Sequence, residues 1–376
     1  EVEREVLPSN ELRNKISIEM QSDNPANVFW SVLSYAREFM KDDLIVDMNK
    51  AYESDPEYWH DTFTEPVLKS ARDNEDRILM APWNANMDGL FYNKEIFDEY
   101  NLEPPETIDD LIEISNVLND NGIIPMVTGG KDHRYAWLAS AMMTRIAGVE
   151  NTEALTIGDK ITEWDNPEYG FPQTIEKFKE LVDADIYPSY VNAIGQEEAS
   201  QMFVNGEAAM MYEGQWLPGH FISFGGEEFT DKVDMVKFPE ATDSSDGDPD
   251  TRVGGVIVGL AVADTGSEEE LDASFKFLKK ITSPGYGKPV MESGGDMYAG
   301  DIEYDKSKAY DLFNEMVSQY RDTERFIPSM DTLAPPEIDR AIKETALAGI
   351  AGGNLTVEEA IEEVQKAAEN YAEKNE

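Results

Sequence analysis

Short apolar runs alternate with amphipathic segments along the chain, which indicates an α/β architecture. One helix is predicted after Thr107, because this threonine can cap a helix together with Asp110 three residues on, and Asn121-Gly122 should end it. The same capping spacing predicts two further helices, at Ser267 with Glu270 and at Thr356 with Glu359.

Stretches rich in apolar residues are predicted to be β-strands. They are residues 15–20, 77–81, 89–92, 123–127, 208–212, 234–238 and 253–262. Neither an internal repeat nor a low-complexity linker divides the sequence, so we expect two interleaved domains, with the chain crossing between them more than once.

The 376 residues include 31 lysines and arginines against 77 acidic residues, a formal charge of −46. Such a charge repels phosphate and anionic lipid, so binding to nucleic acid and a role at a membrane surface are both disfavoured. Cysteine is absent and there are only three histidines, which leaves little material for thiolate chemistry, an imidazole metal cluster or a histidine-based triad. We expect no cofactor, no metal and a monomer.

The sequence lacks the phosphate-binding loop, the nucleophile elbow and the zinc-protease motif. Paired carboxylates of the glycosidase kind cannot be recognised among 77 acids, so a secreted carbohydrate-active enzyme remains an alternative. Asp246, Asp248 and Asp250 alternate like calcium ligands, but no EF-hand spacing follows them. A solvated loop over residues 243–250 is the favoured interpretation.

Aromatic residues beside turn-forming residues are the most distinctive candidates for chemistry. Trp216 follows an apolar strand that ends in Glu213-Gly214, and Trp30 is predicted to end a second strand. An exposed indole face can pack on the C–H side of a sugar ring while polar neighbours bind its hydroxyl groups. The competing interpretation is that each tryptophan only packs against its sheet.

Further candidates are polar residues and glycines at the predicted ends of strands and helices. Each group also has an ordinary structural interpretation as a turn, a helix start or a core position. The candidates are Asn84, Asn86 and Asp88 between two apolar strands, Asp132 and Tyr135 where a helix opens, the pair Gly254-Gly255, and Gly294, Gly295 and Asp296.

Several segments together resemble the extracellular solute-binding proteins of carbohydrate-uptake ABC importers, the family that includes maltose-binding protein. The most specific are MDGLFYNKEIF at 87–97, which is followed by a helix after Pro104, and FVNGEAAM at 203–210, which is followed by Trp216. Weaker matches lie at 27–30, 253–263 and 355–360, so the resemblance runs nearly from end to end.

The resemblance implies an α/β, two-lobe periplasmic-binding-protein fold of type II, with interleaved lobes joined by hinge crossings. Lobe 1 would comprise residues 1–85 and 258–300 and would lack the family's first strand and helix. Lobe 2 would comprise residues 89–252 and 303–376. The crossings would lie near residues 85–89, 253–258 and 298–305.

The resemblance also implies where the ligand binds. Trp216 and Trp30 match aromatic positions of the family's cleft, and further positions are matched by polar residues and glycines. These are Asn86, Asp88, Glu213, Asp132, Tyr135, Gly254, Gly255, Gly295 and Asp296. The segment 330–336 lacks the aromatic that maltose-binding protein has near there, so a maltodextrin ligand is not supported.

The function implied is that of a non-enzymatic receptor, which would capture a mono- or oligosaccharide between its lobes and deliver it to a membrane permease. Its location would be extracellular, as a cell-surface lipoprotein or in the periplasm. A binding protein of the same fold for a non-sugar solute, such as a polyamine drawn by the acidic surface, is the nearest alternative. A surface adhesin is a third.

Overall fold

The computed structural model describes residues 2–7, 9–22, 25–63, 65–73, 75–241, 247–300 and 302–375. By their internal contacts these residues divide into two compact units. Unit 1 comprises Glu1–Ala85, Val256–Met291 and Met297–Tyr304, and unit 2 comprises Asn86–Gly255, Glu292–Asp296 and Asp305–Glu376.

The strands in chain order are β1 (Val28–Val32), β2 (Ala81–Pro82), β3 (Asn86–Asn93), β4 (Ile124–Met126), β5 (Ala208–Gly214), β6 (Val233–Val236), β7 (Arg252–Gly255), β8 (Val258–Val262) and β9 (Phe326–Ile327). The first helices are α1 (Ser9–Glu19), α2 (Leu33–Lys41), α3 (Asn49–Ser54), α4 (Pro56–Thr62), α5 (Glu65–Ser70), α6 (Lys94–Tyr100), α7 (Ile108–Asp120), α8 (Tyr135–Thr156) and α9 (Phe171–Asp183). The remaining helices are α10 (Gln196–Val204), α11 (Leu217–Gly225), α12 (Glu268–Ile281), α13 (Pro284–Glu292), α14 (Asp311–Asp322), α15 (Met330–Leu333), α16 (Pro336–Arg340), α17 (Ala348–Ala351) and α18 (Val357–Asn375).

Unit 1 is built on a three-stranded antiparallel sheet in the order β1-β8-β2. One face packs on a cluster that includes Phe29, Leu33 and Phe39, and a second cluster is centred on the fully buried Trp59. Removing these large side chains from water is the main contribution to the stability of the unit.

Unit 2 contains a six-stranded sheet in the order β4-β5-β3-β7-β9, with β6 paired to β3. The pairs β4–β5 and β7–β9 are parallel, while β3 runs antiparallel to β5, β6 and β7. Both β3 and β5 are buried along their whole length, so they form the centre of the sheet. The polar residues of these two strands therefore lie in the interior of unit 2.

The predicted helix ends are found in the structure. At the start of α7 the Thr107 side chain accepts from the backbone of Asp110, and the Asp110 carboxylate accepts in return from the backbone of Thr107. Thr356 and Glu359 exchange the same two bonds before α18. Ser267 accepts from the Glu270 backbone before α12. Each bond satisfies an N–H group that the first helical turn leaves free.

The strand predicted at residues 15–20 is wrong, because residues 15–19 belong to α1. Ile16 and Met20, four residues apart, are buried in the same cluster, whereas Ile18 between them is exposed. This spacing is the period of a helix and not of a strand. The apolar content of the segment was correctly identified and its period was not.

Three further local predictions need correction. Residues 253–262 do not form one strand, because β7 ends in Gly254-Gly255, whose φ angles are +149° and +83°, and β8 begins only at Val258. Trp30 lies in the middle of β1, opposite Leu260, and not at the strand's end. Asn86 and Asp88 belong to β3 itself and not to a polar segment between strands.

Residues 292–296 are also placed differently from the predicted lobe boundaries, which assigned them to lobe 1. They belong to unit 2. The Lys308 Nζ atom lies 2.8 Å from a carboxylate oxygen of Glu292, and the Tyr310 hydroxyl donates a 2.8 Å hydrogen bond to the carbonyl of Gly294. These bonds to the segment before α14 explain the assignment.

Candidate functional site

The end of β5 positions a tryptophan over the sheet of unit 2. Trp216 occupies the N-terminal cap of α11, two residues after the strand ends. Its ring lies over Gly214, where a Cβ atom would overlap the indole. Glycine at this position therefore allows the indole to lie across the strand's end, where part of it stays exposed.

A second tryptophan, Trp137 of α8, packs against Trp216. The two ring centroids are 4.7 Å apart and the ring planes meet at 75°. The Cζ atom of Arg134 lies 3.7 Å from the centroid of Trp137 and 5.3 Å from that of Trp216. A cation is attracted by the electron-rich face of an indole, so one guanidinium group stabilises both rings.

The same guanidinium group holds the carboxylate of Glu213. Arg134 donates from Nε to Oε1 over 3.0 Å and from Nη2 to Oε2 over 2.7 Å. The Glu213 side chain is completely buried. Because the bond is bidentate, both carboxylate oxygens are satisfied and the buried negative charge is neutralised.

Asp88 of β3 lies beside this pair and is held differently. It is opposite Gly214 in the β3–β5 register, next to Glu213, and only 3% of it is exposed. Neither carboxylate oxygen has a hydrogen-bond partner among the described residues. Burial raises the pKa of Asp88 well above the usual range, and the Glu213 charge raises it further against the opposing charge of Arg134.

Gln215 joins Asn86 to Asp296. Its Nε2 atom lies 3.4 Å from Oδ1 of Asn86 and 3.3 Å from Oδ1 of Asp296, and its Oε1 accepts a 3.2 Å bond from the backbone of Met87. All four residues belong to unit 2. Gln215 and Asn86 are buried and Asp296 is partly exposed, so this amide network connects β3 with the surface near Gly295.

The predicted glycines have local roles. Gly254 and Gly255 pair with Met87 and Asn86, and a Cβ on Gly254 would overlap the carbonyl of Asn86. Glycine is therefore needed here for the close approach of two strands. Gly295 is exposed on the segment that precedes Asp296.

Two residues expected at a ligand-facing helix start contact other parts of unit 2. Tyr135 is completely buried, its hydroxyl donates to the Asn192 side chain, and burial raises its pKa. Asp132 is exposed and accepts a 2.7 Å bond from the backbone of Gln196, at the start of α10. Each of these two bonds holds a neighbouring segment of unit 2.

In unit 1, Trp30 is partly exposed within β1. Trp83 of the same unit is also partly exposed and lies 6.0 Å from the ring centroid of Tyr286.

Sequence reasoning missed Arg134, Trp137 and Gln215. Arg134 and Trp137 are three residues apart where α8 opens, a spacing that places two side chains on one helical face. The sequence analysis names Tyr135 as the candidate in this segment, but Tyr135 is buried and Trp137 is partly exposed. Gln215 stands between two predicted site residues and could have been found by adjacency.

Within the described ranges, no group of three or more histidine or acidic residues is arranged to hold a metal ion. Asp246 of the calcium-like series lies outside them. The Asp248 carboxylate accepts from the backbones of Asp250 and Thr251 and from the Thr251 hydroxyl. A search of the same ranges for helices long and apolar enough to cross a bilayer finds none.

The fold and the site define a protein whose polar and aromatic groups can bind a small solute. The chain belongs to the bacterial extracellular solute-binding proteins, whose family profile matches residues 1–288. Both this family and the fold are those of binding proteins rather than enzymes. The two units are thus a two-lobe solute-binding fold of mixed helices and strands.

Individual proteins give the same picture. An uncharacterised ABC transporter extracellular-binding protein of Pyrococcus horikoshii is 30% identical over 142 residues, which are 36% of this chain and 30% of that protein. The melibiose/raffinose/stachyose-binding protein of Bacillus subtilis is 27% identical over 133 residues, 34% of this chain and 28% of its own. The alignments thus span less than a third of either relative.

A solved structure from a study of xylan utilisation by the thermophilic bacterium Caldanaerobius polysaccharolyticus superimposes with a TM-score of 0.84. It is 21% identical in sequence, and the match covers 96% of this chain and 90% of that one. At this identity the likeness concerns the fold.

Proposed function

We propose that the protein is the extracellular sugar-binding component of an ABC importer, which captures a mono- or oligosaccharide and delivers it to a permease. The observation that carries this proposal is the pair of partly exposed indoles, Trp137 and Trp216, beside the polar side chains of Asp88, Asn86 and Gln215. Aromatic faces and hydrogen-bonding groups side by side are what a sugar ring needs. The names of the relatives in Bacillus subtilis and in the xylan-utilisation study agree with it.

Trp216 would stack on the sugar ring, and Asp88 and the amide groups of Asn86 and Gln215 would bind its hydroxyls. Glu213 acts through Arg134, because both of its oxygens already accept from that guanidinium group. Trp30 in unit 1 remains a predicted second stacking residue. Hinge closure upon ligand binding, which is known for periplasmic binding proteins as a class, remains a prediction here too.

A polyamine receptor is the second candidate, since Asp88, Glu213 and Asp331 supply carboxylates to this part of unit 2. The position of Arg134 argues against it. A guanidinium group already lies on the face of Trp137 and near that of Trp216, so a second cation at these rings would be repelled. A neutral ligand meets no such opposition.

The test is a ligand screen by thermal shift, followed by calorimetry, with xylo-, galacto- and chito-oligosaccharides and with spermidine as the cationic probe. Stabilisation by one class of sugar and none by spermidine is expected. Stabilisation by spermidine alone would replace the sugar assignment by the polyamine one. Trp216→Ala should weaken sugar binding, while Tyr190→Ala, which removes a 55% exposed aromatic side chain elsewhere in unit 2, serves as the matched control.

The same sugars, incubated with the protein and analysed for products, test the absence of enzymatic activity. A receptor returns its ligand unchanged, whereas release of shorter sugars would identify a carbohydrate-active enzyme. We further propose an anchored or periplasmic location, a monomeric state and no interaction with nucleic acid, which the charge of −46 supports.

A further inference from the structure

Asp88 is a buried acid without a hydrogen-bond partner among the described residues. Its two carboxylate oxygens lie inside unit 2, where they accept no hydrogen bond from any described residue. A buried carboxylate without a partner is strongly disfavoured, because it loses its hydration and gains nothing in return. Such a group is stabilised either by protonation, which removes its charge, or by a ligand that donates hydrogen bonds to it.

The charged groups around Asp88 come from three directions. Glu213 and Tyr212 project from β5, Arg134 precedes α8, and Asp331 lies on α15. Arg134 is the cation of this set, and its bidentate bond is already made to Glu213. The charges of Glu213 and Asp331 raise the pKa of Asp88 in addition to the effect of burial. The cluster thus holds three acids and one arginine.

The buried Arg145 and the partly buried Arg252 do not change this balance. The charges of Arg145 and Arg252 oppose the rise that burial causes in the pKa of Tyr212. Arg252 also donates to the Gln319 side chain over 2.7 Å. Asp88 therefore has repulsive acids on two sides and a single arginine engaged elsewhere. Protonation removes the repulsion without moving any atom of the sheet.

We propose that Asp88 is a neutral carboxylic acid in the ligand-free protein at neutral pH, and that this acid selects a neutral, hydroxyl-bearing ligand. A protonated carboxyl offers one donor and one acceptor, the same pair that a sugar hydroxyl offers. The second part of this inference, that Asp88 selects a neutral ligand (the ligand half), rests on the proposed function. No bond to carbon changes, and below the pH at which Asp88 ionises, binding moves no proton.

The pH dependence has a defined sign. When the pH exceeds the value at which Asp88 ionises in the folded protein, binding must first return a proton to the carboxylate. Affinity then falls about tenfold per pH unit. An ionised Asp88 that accepts from ligand hydroxyls would give the opposite dependence, with affinity that rises as the pH rises.

The charge state can be measured without any ligand. The infrared spectrum of the full chain at about pH 7 should contain the carbonyl stretch of a protonated carboxyl, which disappears in Asp88→Asn and persists in the control Asp120→Asn, an exposed acid at the end of α7. If Asp88→Asn does not fold, loss of the band from the wild type on raising the pH replaces it. A spectrum without the band at about pH 7 overturns the proposal.

The ligand half is tested by calorimetry from about pH 6 to about pH 9 with the sugar identified by the screen. The wild type should not gain affinity as the pH rises and should lose it above the pH at which Asp88 ionises, while Asp88→Asn stays constant, since its amide also presents a donor and an acceptor. Loss of binding by more than tenfold in Asp88→Asn at neutral pH, with rising affinity in the wild type, overturns it. If no sugar binds at all, the proposed function fails together with the ligand half, and the infrared band still decides the charge state.

Discussion

Unit 2 buries an ionisable side chain in each of two regions, and the two side chains differ in their hydrogen bonding. Arg145 of α8 is 3% exposed, and its guanidinium group donates to the carbonyls of Phe238, Asp248 and Thr251 over 2.7–3.3 Å. Asp88 of β3 is equally buried, yet neither of its oxygens accepts a hydrogen bond from the described residues. The buried guanidinium group is thus hydrogen-bonded to the backbone, whereas the buried carboxyl group has unused hydrogen-bonding capacity.

The difference separates a structural role for Arg145 from the binding role that we propose for Asp88. Arg145 joins α8 to the backbone segments that follow β6 and precede β7, so its bonds hold three parts of unit 2 together. The open bonding capacity of Asp88 stabilises nothing by itself, since an unsatisfied buried polar group carries a penalty. Together with the adjacent Trp216, this is the arrangement expected where a ligand completes the bonding.

The largest effect is expected from Arg145→Met, which should lower the free energy of unfolding by about 3 kcal/mol or more, because three buried carbonyls lose their donor and each costs ~1–3 kcal/mol. Urea unfolding measures it. Arg340→Met, at an exposed position of α16, is the control and should be close to neutral. Equal stability of the two variants would remove the structural role given to Arg145.

Trp216→Ala addresses the other region and should weaken sugar binding by about 1–3 kcal/mol, through loss of a buried aromatic anchor. Calorimetry on the folded variant gives the number. Its stability should change less than its affinity, because Trp216 is partly exposed. Unchanged affinity would show that the sugar binds elsewhere.

Asp88→Asn sharpens the comparison through stability. The folded pKa of Asp88 is raised, so wild-type stability is fully present below the unfolded pKa of about 3.9 and is lost as the pH rises toward the folded value. The variant has no proton to lose at this position. Between about pH 5 and about pH 6 it should gain about 1.4 kcal/mol over the wild type. Parallel stability curves in urea across this interval would contradict the raised pKa.

The smallest effect is expected where charge meets water. Lys374 of α18 lies 2.9 Å from Glu337, and its side chain is 65% exposed. Lys374→Ala should change the unfolding free energy by about 0.5 kcal/mol or less, because solvent screens the pair. A loss of stability comparable to that of Arg145→Met would mean that burial does not explain why a charged side chain such as Arg145 matters more for stability than an exposed one such as Lys374.

Much of the local structure could be predicted from the sequence because its causes are local. The bond between Thr107 and Asp110 spans three residues, so the start of α7 is visible in the sequence itself. The end of β7 at Gly254-Gly255 and the helix over residues 15–19 were missed. In the first case the φ angles of the two glycines depend on pairing with β3. In the second, packing against the core cluster decides which of the apolar side chains are buried.

The candidate site was predictable in part for the same reason. Trp216 could be singled out because it directly follows a strand and a glycine. The roles of Arg134 and Trp137 could not, because the partners that define them, Glu213 and Trp216, each lie 79 residues further along the chain. The exposure of a side chain was not predictable either, since Tyr135, which carries a polar hydroxyl group, is buried, whereas the larger and less polar Trp137 is partly exposed.

The sequence by itself determined the α/β class, the helix caps, the acidic surface and the family resemblance, since these follow from composition, short-range spacing and ordered motifs. Only the tertiary structure decided which acid would be neutralised. Arg134 is close enough to bond Glu213 and leaves Asp88 without a hydrogen-bond partner among the described residues, although the two acids stand on neighbouring strands, one position apart in the register. The electrostatic state of a carboxyl depends on its distance from other charges and from water, and those distances are set by packing.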